Sequence, residues 1–321
     1  MRLSIIIPVF NAGDTVEKTL HSIVEQLTSE VEVVIVDDGS TDATPEILFR
    51  FAKNARNAIR VIRQDNAGAA AARNTAIVNA KGDYLAFVDA DDRFCENAID
   101  TILKAVENDA DIVGWDWQNV DGGKVRRFRQ ADYSDAEGAL RNLMGGTMKW
   151  NLWLFSVKRK LVVDNGIRFL PGYDMGEDMS FMLRSFACAT KVSHIHEVLY
   201  EYNAANPTSI SRQLSPKRQA EVTRNLQVAE EFLMTSPYKD LCKEYLPYLK
   251  LYIKRPLLIS SSKDDYRQWY NWFPEANAFA SKNKDLPLWT RALQWLASKR
   301  MWNDIKLYNL LYKGILRLKN Y

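Results

Sequence analysis

Three carboxylates fall within four positions of the segment VDADDRF, directly after the apolar run YLAF at 84–87. They belong to Asp89, Asp91 and Asp92. Because unpaired buried charge is costly, such a cluster must lie at the mouth of a strand and needs a cation or positive partners. Carboxylate oxygens are the ligands that Mg²⁺ and Mn²⁺ prefer, with positions left for phosphates. The spacing therefore predicts a divalent-cation site; the alternative is a solvated turn or helix cap.

Further polar residues follow two other apolar runs. Asn11 comes after the first run, and Asp37 and Asp38 come after the second. If these runs are parallel strands, their carboxyl ends meet at one rim of the sheet, where ligands bind. Arg73, on an alanine-rich segment, is a positive group suited to the carboxylates or to phosphates. The sequence thus predicts one polar crevice built from distant residues.

The elements that would position these side chains alternate along the chain. The predicted strands are 3–9, 31–36, 59–62, 84–88 and 112–117, with amphipathic helices between them. This alternation predicts a parallel sheet with right-handed crossovers. The segment DGGKVRRFRQ at 121–130 predicts a basic hairpin or loop, and helices are predicted from 217 onward.

Composition excludes several classes of protein. The 321 residues are 47% hydrophobic and 26% charged, as in soluble globular proteins. Cys95, Cys188 and Cys242 form no CxxC pair, so neither a disulfide framework nor a thiolate zinc site is indicated. The first apolar run is too short for a signal peptide or membrane span. We therefore expect a cytoplasmic protein.

Charge is distributed unevenly. Residues 1–213 carry 24 Lys and Arg against 30 Asp and Glu, whereas residues 214–321 carry 19 against 10 and hold five of the nine tryptophans. This change predicts a domain boundary near residue 214.

Four segments, taken in order, carry a family resemblance. They are SIIIPVFN at 4–11, VIVDDGSTD at 34–42, NAGAAAARNTAIVNAKGDYLAFVDADD at 66–92 and GEDMSF at 176–181. Together they resemble the family 2 glycosyltransferases over roughly residues 1–212, and the ordered set is more specific than any single block. The resemblance implies an α/β fold of the GT-A type: a mostly parallel sheet flanked by helices, with a helical C-terminal appendage at 214–321. Residues 1–120 would then bind the nucleotide sugar and 121–213 the acceptor.

The implied activity is transfer of a sugar from a nucleotide diphosphate to an acceptor hydroxyl, with inversion at the anomeric carbon. By match to the motifs, Pro8, Phe10 and Asn11 would line the nucleotide pocket. Asp38 would contact the base, expected to be uracil, and Asp37 would support that loop.

The same match assigns roles around the carboxylate cluster. Arg73 would brace the cluster or the diphosphate, and Asp89 with Ala90 would face the ribose. Asp91 would bind the Mn²⁺ or Mg²⁺ ion, and Asp92 is a second metal candidate.

Inversion by direct displacement needs a base for the acceptor proton. Asp178 is the expected base, and Glu177 is the second candidate or an acceptor-orienting group. Taken alone, both could simply cap the following helix. Tyr200 and Tyr202 also fit the family pattern, although the basic or histidine residue expected after them is absent and only Arg212 could replace it.

Two other pairs permit a functional and a structural interpretation. His194 and His196 resemble a metal pair, but the strand pattern favours core or edge histidines. Trp150 and Trp153 could form a platform for acceptor sugars, and core packing is at least as well supported.

The segment 299–321 has six Lys and Arg against one acid, interleaved with apolar residues. It predicts either an amphipathic helix on the inner face of the membrane, useful for a lipid-linked acceptor, or a packed helix with a solvated basic face. A glycan is the other expected acceptor, in polysaccharide or glycolipid assembly. No recognition motif indicates nucleic acid.

Two other functions are compatible with such a sheet. A sugar nucleotidyltransferase would have a glycine-rich basic loop after the first strand, where this chain has VFNAGDTV. A non-catalytic nucleotide-sugar-binding protein would not need both the metal carboxylates and the GED pair.

Overall fold

The computed structural model describes residues 1–55, 58–205, 214–260 and 262–318, without side chains for 312–318. Within these residues, nine strands form one mixed sheet. They are Leu3–Val9 (β1), Val31–Asp37 (β2), Ile59–Arg63 (β3), Tyr84–Phe87 (β4), Arg93–Phe94 (β5), Ile112–Asp121 (β6), Lys124–Phe128 (β7), Phe155–Lys158 (β8) and Val192–Asn203 (β9). Their order is β3-β2-β1-β4-β8-β6-β9-β5, and β7 pairs with β6.

Helices flank this sheet and form the C-terminal part of the described chain. They are Val16–Val24 (α1), Thr44–Asn54 (α2), Ala69–Asn79 (α3), Ala98–Val106 (α4), Ala136–Gly145 (α5), Arg159–Asp164 (α6), Glu177–Cys188 (α7), Pro216–Leu233 (α8), Lys239–Ile253 (α9), Pro256–Ile259 (α10), Lys263–Asn271 (α11), Leu288–Ser298 (α12) and Trp302–Leu318 (α13).

The first four strands are parallel neighbours, as the alternation predicts. β1 and β2 are mostly apolar and are buried along almost their whole length, as in a parallel sheet covered on both faces. The Asp38 amide donates to the Val9 carbonyl at 2.8 Å, and the Val88 amide donates to the Ile6 carbonyl at 3.0 Å. These bonds align the ends of β1, β2 and β4 at one rim.

The remaining strands make the sheet mixed. β8 lies antiparallel between β4 and β6, and β9 runs parallel to β6. β6 extends to Asp121, beyond the predicted end at residue 117. Gly122 and Gly123 both have positive φ, 54° and 86°, as a two-residue hairpin turn of type I′ requires. β6 and β7 therefore form the predicted basic hairpin.

The chain divides into two compact units. The first comprises Met1–Ala139 and Lys149–Pro237, and the second comprises Leu140–Met148 and Tyr238–Tyr321. Helix α8 belongs to the first unit, while the boundary predicted near residue 214 stays a prediction. Among the described helices we find none that combines the length and the apolar composition of a membrane-spanning segment.

Candidate active site

A cleft of about 970 Å³ opens at the carboxyl ends of β1, β2 and β4. It collects side chains from segments far apart in sequence. The predicted site residues that line it are Pro8, Phe10, Asn11, Asp38, Arg73, Asp89, Ala90, Asp91, Glu177 and Asp178. Asp37 and Asp92 are not among the lining residues.

The loops after β1 and β2 hold each other in place. The Asn11 amide donates to Ser40 Oγ at 2.9 Å, and Asn11 Oδ1 accepts from the Thr41 amide at 2.8 Å. Asn11 has a φ of 47°, a conformation that asparagine tolerates better than most residues. Phe10, next to it, is 51% exposed at the cleft. These hydrogen bonds thus hold the two loops together as one wall of the cleft.

The two aspartates after β2 have different surroundings. Asp37 is buried, and its carboxylate accepts from the Ser40 amide at 2.9 Å and from Arg63 Nη1 at 3.0 Å. These bonds join Asp37 to its own loop and to the end of β3. The carboxylate of Asp38 accepts from the Ala67 and Gly68 amides at 3.0 and 2.8 Å. Asp38 therefore joins the end of β2 to the start of α3.

Arg73 is the centre of the cleft's charge network. Its Nη2 lies 3.1 Å from Asp89 Oδ1, and its Nη1 lies 2.8 Å from Glu177 Oε1 and 3.5 Å from Asp178 Oδ1. Burial by itself lowers the pKa of Arg73. The carboxylates of Asp178, Asp89 and Glu177 outweigh burial and raise that pKa above its ordinary value. One guanidinium thus joins the loop at residues 89–92, here called the DADD loop, to the start of α7.

Glu177 and Asp178 are held inside the cleft rather than in solvent. Asp178 Oδ2 accepts from the Leu152 amide at 3.2 Å. Asp178 Oδ1 is buried and has no hydrogen-bond partner among the described residues. Burial raises the pKa of Asp178, against the opposing effect of Arg73. Burial and the Asp178 carboxylate raise the pKa of Glu177 to about 8.

This raised pKa predicts a stability that depends on pH. The ordinary pKa of Glu177 is 4.5, and its pKa in the folded protein is about 8. The folded protein therefore holds the Glu177 proton more tightly than the unfolded chain does. The stabilisation from this proton is complete below pH 4.5 and is lost as the pH rises through 8. Glu177→Gln stays neutral and can still accept from Arg73. We therefore compare the free energy of unfolding of the variant with that of wild type at each pH. This difference, variant minus wild type, should be about 2 kcal/mol larger at pH 9 than at pH 5.

Thermal melts of both proteins at the two pH values measure this difference. Glu17→Gln is the matched control, because Glu17 pairs with Arg50 on the exposed surface; it should change stability by less than about 1 kcal/mol at either pH. An equal shift at pH 5 and pH 9 for Glu177→Gln would contradict the assignment.

The three aspartates of the DADD loop have separate environments. Asp89 contacts Arg73, and Asp91 lines the cleft. Asp92 is 1% exposed; its oxygens accept from the Tyr200 hydroxyl at 2.9 Å and the Asn203 amide at 2.7 Å. Burial, with the charges of Asp89 and Asp91, raises the pKa of Asp92. Asp92 anchors the end of β9, so we omit it from the proposed metal ligands.

Aromatic side chains form a further part of the cleft wall, here called the aromatic wall. Trp150, Trp153 and Tyr202 line the cleft. The Trp153 ring stacks on Tyr200 at 4.5 Å and on Tyr202 at 5.7 Å. Because Trp153 is only 6% exposed, it packs in the core and also borders the cleft. The core interpretation of this tryptophan therefore holds, and the acceptor platform stays a prediction.

Asp174 is a cleft residue that the sequence argument missed. Its Oδ1 accepts from the Ala70 amide at 2.8 Å, at the N-terminus of α3. A Cβ on Gly68 would lie 2.2 Å from Asp174 Oδ2, and Gly68 has a φ of 91°. Only glycine fits there. The signal available was an aspartate two residues before GED, but nothing in the sequence links it to a helix about one hundred residues earlier.

Other predicted residues lie elsewhere. His194 and His196 are on β9 and do not line the cleft. Arg212 lies outside the described residues. So do residues 319–321 of the basic tail, and of its side chains only those up to residue 311 are described.

Comparisons with known proteins agree with the predicted family and fold. The profile of glycosyl transferase family 2 matches residues 4–176. Glycosyltransferase YibD of Escherichia coli is 33% identical over 221 residues, 66% of this chain and 63% of that protein. The poly(ribitol-phosphate) beta-glucosyltransferase of Bacillus spizizenii is 31% identical over 63% of this chain and 32% of its own. The matched region thus spans less than two thirds of either relative.

A solved structure extends the similarity in fold. S. aureus TarS 1-349, crystallised with UDP-GlcNAc, superimposes with a TM-score of 0.72 and 20% identity, covering 98% of this chain and 92% of that one. The predicted GT-A architecture with a helical C-terminal region is therefore confirmed. With the profile match over more than half its length, the chain belongs to glycosyl transferase family 2.

Proposed function

We propose that this chain transfers a sugar from a UDP-sugar to an acceptor hydroxyl, with inversion and with a divalent cation in the cleft. One observation carries the proposal. Arg73 ties Asp89 of the DADD loop to Glu177 and Asp178 of α7, so a donor-side carboxylate loop and a candidate base share one cleft.

The nucleotide would lie against Pro8, Phe10 and Asn11. Asp38 has room for one more hydrogen bond. Its Oδ1 already accepts from Gln64 Nε2 at 2.7 Å and from the Ala67 amide, and its Oδ2 accepts from the Gly68 amide. A carboxylate offers about four acceptor positions, so one remains. Uracil presents a single ring N–H donor, whereas guanine presents more, which supports a uridine nucleotide.

The cation would be held by Asp91, with Asp89 beside it. Their hard carboxylate oxygens suit Mn²⁺ or Mg²⁺ and leave coordination positions for phosphate oxygens. A cation bound there supplies positive charge that stabilises the leaving diphosphate. Arg73, which pairs with three carboxylates, offsets their mutual repulsion when no donor is bound.

Asp178 would act as the base. Its Oδ2 is fixed by the Leu152 amide, and its Oδ1 has no hydrogen-bond partner among the described residues. The carboxylate, whose side chain is 17% exposed, takes the acceptor's hydroxyl proton as the acceptor oxygen bonds to the anomeric carbon. The bond from that carbon to the diphosphate oxygen breaks, and its electron pair leaves with UDP. The raised pKa of Asp178 brings its basicity closer to neutral pH, which favours proton transfer.

The acceptor would approach the aromatic wall of Trp150, Trp153 and Tyr202, because apolar sugar faces stack on such rings. The acceptor class we propose is a glycan or lipid-linked glycan in surface-polymer assembly, in keeping with the name of the Bacillus spizizenii relative. Peripheral membrane contact through 299–321 stays a prediction.

A panel of nucleotide sugars with Mn²⁺ tests the proposal. We expect a UDP-sugar to release UDP slowly without an acceptor, and Asp91→Ala to lower that rate by about 100-fold or more. Asp100→Ala is the matched control, since Asp100 pairs with Lys104 on the exposed surface of α4. Formation of UTP and sugar 1-phosphate on addition of pyrophosphate would indicate a nucleotidyltransferase instead. Full activity of Asp91→Ala would refute the cation role.

A further inference from the structure

A second cluster of metal-ligating side chains lies on β6 and β9, among residues that do not line the cleft. Asp116, His194 and His196 each offer one ligand atom, and these atoms lie within 4.8 Å of one another. His194 Nε2 is 3.0 Å from Asp116 Oδ1. His196 Nε2 is 3.3 Å from Asp132 Oδ1, just beyond β7. Two imidazoles and two carboxylates therefore gather at one place.

An irregularity in strand pairing brings these residues together. Gly114 pairs with His194, but two positions later Asp116 pairs with Val198 instead of His196. The register shifts on both sides of Asp116, so β9 has extra residues opposite it. Such bulges redirect side chains. Here both histidine rings lie side by side, with centroids 4.8 Å apart.

The inner half of the cluster is buried and incompletely bonded. The side chains of His194 and Asp116 are 3% and 7% exposed. Among the described residues, His194 Nδ1 has no hydrogen-bond partner. Asp116 Oδ1 also accepts from the Gln130 backbone amide at 2.9 Å, which holds the carboxylate facing His194 Nε2. The proposed glycosyl transfer uses neither residue.

The outer half of the cluster is accessible. His196 is 47% exposed and Asp132 is 73% exposed, so both can reorient. Arg129 is the opposing charge, since its Nη2 lies 3.0 Å from Asp132 Oδ1 and 3.5 Å from His196 Nε2. It is 61% exposed and can turn to solvent.

We propose that Asp116, His194 and His196 bind a zinc-type transition metal, with Asp132 as the fourth ligand. In a tetrahedral zinc site the bond lengths are near 2.0–2.1 Å, so two ligand atoms lie about 3.3 Å from each other. The Asp116–His194 and His196–Asp132 distances, 3.0 and 3.3 Å, are already close to this ligand–ligand distance. Only the exposed side chains of His196 and Asp132 must move toward Asp116 and His194.

The chemistry of the donors distinguishes this site from the cleft. Imidazole nitrogens with carboxylates suit Zn²⁺, whereas the all-carboxylate cleft suits Mg²⁺ or Mn²⁺. The ligands come from β6, from β9 and from the segment after β7. A bound ion would fasten the basic hairpin to β9, which is a structural role independent of sugar transfer.

The test is calorimetric titration of tag-free, chelator-treated full-length protein with ZnCl₂ in excess Mg²⁺. His21→Gln is the matched control, because His21 is the one histidine of the sequence outside this cluster and is exposed on α1. We expect one Zn²⁺ per chain for wild type and His21→Gln, and affinity at least tenfold weaker for His196→Gln and His194→Gln. Saturating Zn²⁺ should raise the Tm of wild type by about 5 °C.

His196→Gln is the decisive variant, because its half-exposed side chain can be changed without disturbing the core. Asp91→Ala should retain the zinc site, which separates this proposal from the catalytic one. Absence of zinc binding by wild type, or equal binding by His196→Gln and His21→Gln, would overturn the proposal.

Discussion

Asp178→Asn is expected to lower kcat by about 10³-fold while changing the Kd for UDP by no more than a few-fold. The asparagine keeps the shape of the side chain and can still accept from the Leu152 amide, but it cannot take the acceptor proton. General-base catalysis contributes roughly 10²- to 10⁴-fold, so its loss accounts for the expected size. Steady-state kinetics at saturating donor, with UDP binding by calorimetry, measures both quantities.

Glu177→Gln serves as the comparison for this variant. Glu177 Oε1 accepts a hydrogen bond from Arg73 Nη1 at 2.8 Å, whereas Asp178 Oδ1 lies 3.5 Å from the same nitrogen. We expect a smaller loss, about 10-fold, through altered charge around Arg73. A 10³-fold loss for Glu177→Gln together with near-normal activity of Asp178→Asn would identify Glu177 as the base instead.

Arg73→Met is expected to lower the free energy of unfolding by about 3–5 kcal/mol at pH 8, because it leaves three carboxylates without their shared cation. Arg73 lowers the pKa of both Glu177 and Asp178. Without it these carboxyls bind protons at higher pH, so the loss of stability should be smaller at pH 5 than at pH 8. Urea unfolding at the two pH values measures the difference.

Arg93→Met is the matched control for the arginine. Arg93 also pairs with a carboxylate, that of Glu201, but its side chain is 46% exposed, so we expect a change below about 1 kcal/mol. Arg73→Lys should fall between, since an ammonium group lacks the planar fork that reaches several carboxylates. Equal stability of Arg73→Met and Arg93→Met would show that the cluster does not depend on the guanidinium.

The parallel half of the sheet could be predicted because its signals are local. Apolar runs of strand length alternate with segments of helical period, and each connection is short enough to favour one crossover. Parallel pairing then brings the carboxyl ends together, so the convergence of Asn11, Asp38 and Asp91 follows from the chain order. The antiparallel position of β8 between β4 and β6 carries no comparable signal, since it depends on which strand edge is available.

Within the site, the sequence motifs identified the acidic residues but not the groups that each of them contacts. Asp91 and Asp92 are adjacent and chemically identical, yet one lines the cleft and the other is buried against Tyr200 and Asn203. Asp174 had no local pattern at all, because the helix terminus it caps lies 104 residues away.

The sequence by itself determined the alternation of strands and helices through residue 117, the family, and the set of carboxylates that follow the parallel strands. The tertiary structure decided that Arg73 would join Asp89 to Glu177 and Asp178, and that Asp116 would meet two histidines of β9. The physical reason is the range of the interactions. Periodicity and turn geometry depend on neighbouring residues, whereas a buried charge selects its partners according to which distant groups are desolvated with it.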